Sequence, residues 1–272
     1  MNNIKNLLNF ALCKYPKLYI NIINKLLLGR GYYHEKKSFL SILKKGDIIM
    51  DIGANNGYFS ILFSHITGKK GKVFSIEAIP DTYKLMNQNI RKHCKHKNIS
   101  TYNIAISNLV GLIEMYLPGN DTGQASIKKH GDNSWKEADI IKTYNVNATI
   151  LDEFIEDLSI KKVDFLKIDI EGAEKLAMEG GKNLLKYFMP VIQFELYYKW
   201  LKDFQTTPLE IYDLLRGLGY DTFYILEEQI TKITDDFVKQ RPLISDHSTN
   251  IVVFSKNKHY SRILDFEKAF SK

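Results

Sequence analysis

The stretch Gly46 to Ser60, G-D-I-I-M-D-I-G-A-N-N-G-Y-F-S, joins an apolar run to an acid, two glycines and a pair of asparagines. Asp47 to Gly53 reads as a buried strand, and N-G-Y-F-S-I-L-F-S-H-I, from Asn56, opens a helix. A strand that turns directly into a helix brings backbone N–H groups and a positive helix end to the carboxyl edge of a sheet, where doubly wound folds take their ligands. Glycine permits close approach there, and asparagine tolerates a left-handed turn. The turn G-A-N-N-G has glycines only at its first and fifth positions, so it departs from the G-x-G-x-x-G of dinucleotide folds and argues against a pyrophosphate.

Working outward, strand-like and helix-like periods alternate, the pattern of a parallel sheet covered by helices. K-V-F-S-I-E-A from Lys72 is a second strand, Pro80 and Asp81 start a helix, and S-T-Y-N-I-A-I-S from Ser100 is a third strand. Two β-like segments around a Gly-rich loop between Gly111 and Val146 predict an inserted hairpin, a candidate substrate wall or lid. T-I-L-D-E-F reads as a short helix capped by Thr149, and V-D-F-L-K-I-D-I-E-G-A-E from Val163 as a strand ending in acids. P-V-I-Q-F-E-L from Pro190 follows, then a helix with Thr207, Pro208 and Glu210 as a complete start signal. D-T-F-Y-I-L and S-T-N-I-V-V-F-S finish the sheet, the latter as an antiparallel edge. The expected fold is α/β, Rossmann-like and doubly wound: a mostly parallel seven-stranded sheet with an antiparallel edge strand, plus an N-terminal helical extension. Residues 1–45 form that extension and 46–272 one domain, with the insertion at about 111–147.

The net charge of +7 is not spread evenly over the 272 residues. Nine of the 38 basic residues and one of the 31 acids, Glu35, precede Gly46, so the body is close to neutral. The basic leader is apolar in clumps that Lys14, Pro16 and Lys17 interrupt, too short for a membrane span and without a signal-peptide cleavage site. It reads as helical segments docked on the domain, or as a peripheral contact with an anionic membrane surface; a nucleic-acid arm is the third and weakest option. Cys13 and Cys94 have no metal-type spacing and fit a reducing compartment. The expected location is cytoplasmic, with the inner face of the membrane as the variant that the leader suggests.

D-x-G-x-x-x-G, with Glu77 ending the next strand about 20 residues past Gly57, resembles motifs I and II of class I methyltransferases that use S-adenosylmethionine. The likeness extends through I-E-A-I-P, N-I-A-I-S-N-L-V-G, T-I-L-D-E-F, K-I-D-I-E-G-A-E-K-L-A-M-E-G, P-V-I-Q-F-E-L and L-L-R-G-L-G-Y, blocks that resemble the FkbM-type methyltransferase family from about Gly46 to Phe254. The family's common E-P-x-P has proline where Ala78 or Ile79 stands. The resemblance implies that Asp51, Gly53, Asn55 and Gly57 line the methionine end of the cofactor, with Tyr58 and Phe59 just behind. It likewise implies that Glu77 holds the ribose beside Ala78 and Ile79, and that Ile104 and Ala105 flank the adenine.

Methyl transfer to an alcohol needs alignment, and a base or metal for the hydroxyl proton. Asp169 ends a strand, Glu171 follows it, and Glu195 ends the next, so three acids reach one edge. Asp169 is expected near the methyl, with Glu171 and Glu195 as base or sugar-hydroxyl ligands; Glu174 fits a first helical turn better. The three acids could also coordinate Mg²⁺, although no spacing demands it. His247 reads as a satisfied loop histidine. N-P-P-Y-like and Pro-Cys signatures of base methylation are absent. The FkbM resemblance implies O-methylation of a sugar, glycan precursor or related metabolite; a nucleic-acid methyltransferase and a non-catalytic nucleotide-binding protein are the alternatives.

Overall fold

The computed structural model describes Tyr15, residues 33–119, 122–131, Trp135, 141–227, 229–235 and 248–271. The run after Asp47 forms β1 (Ile48–Ile52), and its neighbours are parallel: β2 (Lys72–Ile76) on one side and β7 (Phe165–Ile168) on the other. Beyond β2 lies β3 (Ile99–Tyr102), and beyond β7 lies β8 (Val191–Leu196), both parallel. Ile52 pairs with Ile76 and with Ile168, and Ile168 with Phe194. One residue further on, Gly53, Glu77, Asp169 and Glu195 therefore stand in a single row at the carboxyl edge of the sheet, Glu195 still within β8.

The main sheet has eight strands rather than seven, in the order β10-β9-β11-β8-β7-β1-β2-β3. β11 (Thr249–Phe254) is not the edge: it runs antiparallel between β8 and β9 (Thr222–Leu226). Ile251, Val252, Val253 and Phe254 are all buried, and a strand apolar on both faces belongs inside a sheet. The edge is β10 (Ile230–Ile233), antiparallel to β9, with Lys232 exposed on it as charge that discourages further pairing. Its four residues, I-T-K-I, are too few to show a strand pattern in the sequence.

The expected third strand splits in two. After β3 the Asn103 amide donates to the carbonyls of Glu77 and Ala78, at 2.9 and 2.8 Å, and the chain departs to form β4 (Ala105–Ser107) in a second sheet of order β4-β6-β5. β5 (Gly111–Pro118) and β6 (Ile141–Ile150) are the hairpin foreseen in the insertion, paired from Gly111–Ala148 to Pro118–Ile141.

Among the described residues the α-helices are α1 (Tyr33–Ile42), α2 (Tyr58–Thr67), α3 (Pro80–His93), α4 (Leu151–Asp157), α5 (Glu174–Glu179), α6 (Lys182–Tyr187), α7 (Tyr198–Asp203), α8 (Pro208–Gly217) and α9 (Lys256–Phe270). α3 starts on Pro80, and α8 carries the full Thr207–Glu210 capping box. Thr149 does not cap α4; it ends within β6, and Asp152 instead accepts from the Asn183 and Leu184 N–H groups that open α6.

α1 falls within the expected extension yet is built into the core. Phe39 is fully buried, edge-on to Phe59, Phe63 and Phe165. Arg262 of α9 forks onto both Asp47 oxygens at 2.6 and 2.8 Å and also donates to the Ile42 carbonyl at the end of α1. Apart from Tyr15, the leader before α1 lies outside the described residues, as does His247. Among the described residues no helix is long and apolar enough to cross a membrane.

Candidate active site

The glycines of the first turn serve the protein's own packing. Gly53 has φ +76°, and a Cβ there would stand 1.8 Å from the Asp169 carbonyl oxygen, so only glycine lets β1 and β7 leave the sheet side by side. Gly57, at φ +81°, would push a Cβ to 2.9 Å from Met86 of α3. The Gly53 and Ala54 N–H groups both donate to the Ile76 carbonyl, and the Gly57 N–H to that of Ala54. The turn thus shapes the site more than it offers free donors, contrary to the expectation of bare N–H groups.

What the turn does deliver is a fixed carboxylate. Glu77 is buried, with Oε2 accepting from the Asn55 N–H and Oε1 from the Ile79 N–H, each at 2.9 Å. Burial pushes its carboxyl up to about 7 against the pull of these backbone bonds. Each oxygen keeps a second lone pair for a hydroxyl donor. Asp51 lies fully buried beneath the turn, accepting from Ser60 Oγ at 2.5 Å; burial raises its pKa, and Lys167 opposes the rise.

The other half of the site is an acid cluster around one cation. Lys167, buried in β7, donates to Asp169 Oδ2 at 2.7 Å and lies 5.1 Å above the Phe59 ring. Burial alone would lower the ammonium pKa, but Asp169, Asp51 and Glu35 together raise it. Glu171 sits at φ +57°, and among the described residues its buried Oε2 has no hydrogen-bond partner. Burial, then Asp169 and Glu195, drives its pKa well up. Glu195 is pushed to about 7 by burial and by Asp169. Glu174 opens α5 as foreseen, and its Oε1 accepts from the Ile170 and Gly172 N–H groups, tying the acid loop to the helix.

A cavity of about 440 Å³ connects the halves. Of the residues expected at the cofactor, Gly53, Asn55, Glu77, Ala78, Ile104 and Ala105 line it; of those expected at the chemistry, Asp169, Glu171 and Glu195 do. Asp51, Gly57, Tyr58, Phe59 and Ile79 stand behind the wall. Tyr58 lies under the Lys36 ammonium at 4.8 Å, Phe59 packs on Phe39, and Ile79 joins the small core of Ala105, Met115 and Val146. Glu35 and Trp200 are among the wall residues that sequence reasoning did not single out. Glu35 enters from α1, its carboxyl pushed up to about 8 by burial against the pull of Lys167. Trp200 enters from α7. The signal for Glu35 was its standing as the sole acid before Gly46; Trp200 had none.

The Glu77 end of the cavity, a fixed carboxylate flanked by Ile76, Ala78, Ile104 and Ala105, suits a nucleoside: an apolar slot for a base and an acceptor pair for two adjacent ribose hydroxyls. The acid end suits a positive charge. Asp169, Glu171 and Glu195 each place an oxygen within 4.8 Å of the others.

The mostly parallel sheet with this two-ended cavity at its carboxyl edge is a Rossmann-like methyltransferase fold. Residues 51–222 match the model of the methyltransferase FkbM domain, and the chain belongs to the FkbM methyltransferase family. It is 27% identical over 161 residues to a 2-O-methyltransferase, NoeI, of Sinorhizobium fredii, covering 55% of this chain and 63% of that one. It is 22% identical over 166 residues to the methyltransferase sdnD of Sordaria araneosa, covering 51% and 61%. The chain therefore spans less than two thirds of either relative. Among solved structures, the methyltransferase FkbM of Methylobacillus flagellatus shares the fold, with a TM-score of 0.50 and 14% identity over 93% of this chain and 60% of that one.

Proposed function

We propose that the protein transfers a methyl group from S-adenosylmethionine to a hydroxyl of a sugar, glycan precursor or related metabolite. One observation carries the reading: Glu171 and Glu195 face the same cavity as the ribose-fitting Glu77, and burial with Asp169 nearby lifts the Glu195 carboxyl to about 7. A carboxyl that titrates near working pH is well matched to accept a hydroxyl proton. A relative named as a 2-O-methyltransferase supports an oxygen acceptor.

Bound S-adenosylmethionine supplies an electrophilic methyl on a sulfonium. Glu77 would hold its ribose, with Ile104 and Ala105 along the base. Lys167 pairs with Asp169 at 2.7 Å beside the methyl end, and Glu195 or Glu171 takes the acceptor's proton as its oxygen attacks. Alignment of this kind supplies on the order of 7–11 kcal/mol.

The acceptor side of the wall holds Glu35, Asp169, Glu171 and Glu195 and, among the described lining residues, no lysine or arginine. Such a wall accepts hydrogen bonds from hydroxyls and repels phosphates, which disfavours a nucleic acid. Trp200 adds an aromatic side chain to the same wall. We place the protein in the cytoplasm. Since α1 buries Phe39 and Ile42 in the core, we assign any peripheral membrane contact by residues 1–45 to those before α1. The 4.8 Å spacing of Asp169, Glu171 and Glu195 favours a second reading in which Mg²⁺ assists there.

A labelled-methyl assay against nucleotide sugars, extracted surface glycans and RNA, with and without chelator, tests the proposal. Label is expected in a saccharide, with Glu195→Gln and Glu171→Gln strongly impaired. Label in RNA alone, or equal turnover by all three proteins, overturns it.

A further inference from the structure

The Glu171 carboxylate is buried in the cavity, yet among the described residues nothing hydrogen-bonds its Oε2. Its backbone is held in the left-handed region at φ +57°. Two donors from the insertion grip the Glu171 carbonyl: His130 Nε2 at 3.0 Å and Ser126 Oγ at 3.1 Å. The other His130 nitrogen, Nδ1, lies 2.7 Å from Asp203 Oδ2 at the end of α7. A carbonyl and a carboxylate are both acceptors, so the ring satisfies the two contacts together only by donating from both nitrogens.

The ring is locked from its faces as well. It stacks on Trp200 at 4.6 Å and 14° and meets Trp135 edge-on at 5.2 Å. Lys128, also in the insertion, donates to the Asp203 carbonyl at 2.6 Å. Next to Glu171, a Cβ on Gly172 would approach Phe204 and Trp200 within 3.0–3.1 Å, so the acid loop is already pressed against the end of α7. Insertion, α7 and acid loop meet at the Glu171 carbonyl.

We propose that His130, backed by Asp203, is a positioning residue for methyl transfer: it holds the Glu171 backbone so that the carboxylate faces the acceptor. On this reading the insertion is a clamp on the chemistry as well as a wall. The inference rests on Glu171 acting at the acceptor, and the test separates the two claims.

The first measurement needs no acceptor. Crystal structures of wild type, His130→Ala and Ser126→Ala with S-adenosylhomocysteine should show Glu171 leaving the left-handed region and its carboxylate withdrawing in His130→Ala, with a smaller change in Ser126→Ala. Titration calorimetry with S-adenosylhomocysteine should give the wild-type affinity for both variants and for Asp203→Asn. A Glu171 that superposes on wild type in His130→Ala overturns the proposal. Should His130→Ala not fold, Asp203→Asn and Ser126→Ala carry the same comparison.

The second measurement is a double-mutant cycle on kcat with the saccharide found by the labelled-methyl panel. His130→Ala should lower kcat about 100-fold, the scale of loss expected when a reacting group is misplaced by about 1 Å. In a Glu171→Gln background the same change should cost less than about threefold, because residues that act through one another are non-additive. Additive losses mean a merely structural His130 and overturn the inference. Full activity in Glu171→Gln overturns the role of Glu171 itself.

Discussion

The two halves of the cavity are built on opposite plans. At the end proposed for the cofactor, Glu77 has both oxygens held by backbone N–H groups of neighbouring turns, so its position is set before any ligand arrives. At the end proposed for the acceptor, Glu35, Asp169, Glu171 and Glu195 converge from α1, the β7–α5 loop and β8 around one lysine. A carboxylate held on both oxygens is preorganised for one partner. A crowd of carboxyls with one buried cation is poised to exchange protons. The contrast matches a reaction in which the donor is constant and the hydroxyl must lose a proton.

Breaking the turn shared by both halves should have the largest effect. Gly53→Ala sets a Cβ against the Asp169 carbonyl at a positive φ, and we expect a loss of more than about 3 kcal/mol, read as a collapse in Tm together with loss of S-adenosylmethionine binding. Next, Glu195→Gln should lower kcat by about 10²–10⁴-fold with cofactor affinity held within about threefold, which places the residue at the acceptor end. Glu77→Ala should do the reverse: cofactor affinity falls by about 10–100-fold in calorimetry, the scale of hydrogen bonds to a charged group, while a folded, cooperative melt survives.

The smallest effect is on stability against pH. Glu35, Glu77, Glu174 and Glu195 have folded pKa values of about 8, 7, 8 and 7, above the ordinary value of 4.5. Between pH 4.5 and 8 the folded state therefore holds more protons than the unfolded, and stability falls as pH rises through that window. The ligand-free protein should melt several degrees lower at pH 8 than at pH 5, and Glu195→Gln should flatten the slope. A Tm that rises across this range contradicts the raised carboxyls. Activity should run the other way, increasing as the base loses its proton near pH 7.

The two halves also differed in how far the sequence disclosed them. Gly53, Asn55, Glu77, Asp169 and Glu195 were legible because each ends or follows an apolar strand, and parallel register then forces such residues into one row. The family resemblance put Tyr58 and Phe59 just behind the turn, and the left-handed Gly57 sends the start of α2 toward Lys36 and Phe39 of α1. Glu35 stood out only as the lone acid before Gly46, and His130 only as part of an insertion read as a wall or lid. Their roles depend on packing between residues far apart in the chain, as His130 does on Asp203. β11 deceived for a related reason: adjacency to β9 in sequence suggested an edge, and only burial on both faces shows why it lies inside.

A crystal structure with S-adenosylmethionine, or with S-adenosylhomocysteine plus a diffused acceptor, tests the central claim most directly. The account predicts the ribose hydroxyls on the Glu77 carboxylate, the base along Ile104 and Ala105, and the sulfur turned toward Asp169, Glu171 and Glu195. A ribose held by another group, or a sulfur turned away from those three acids, would contradict it.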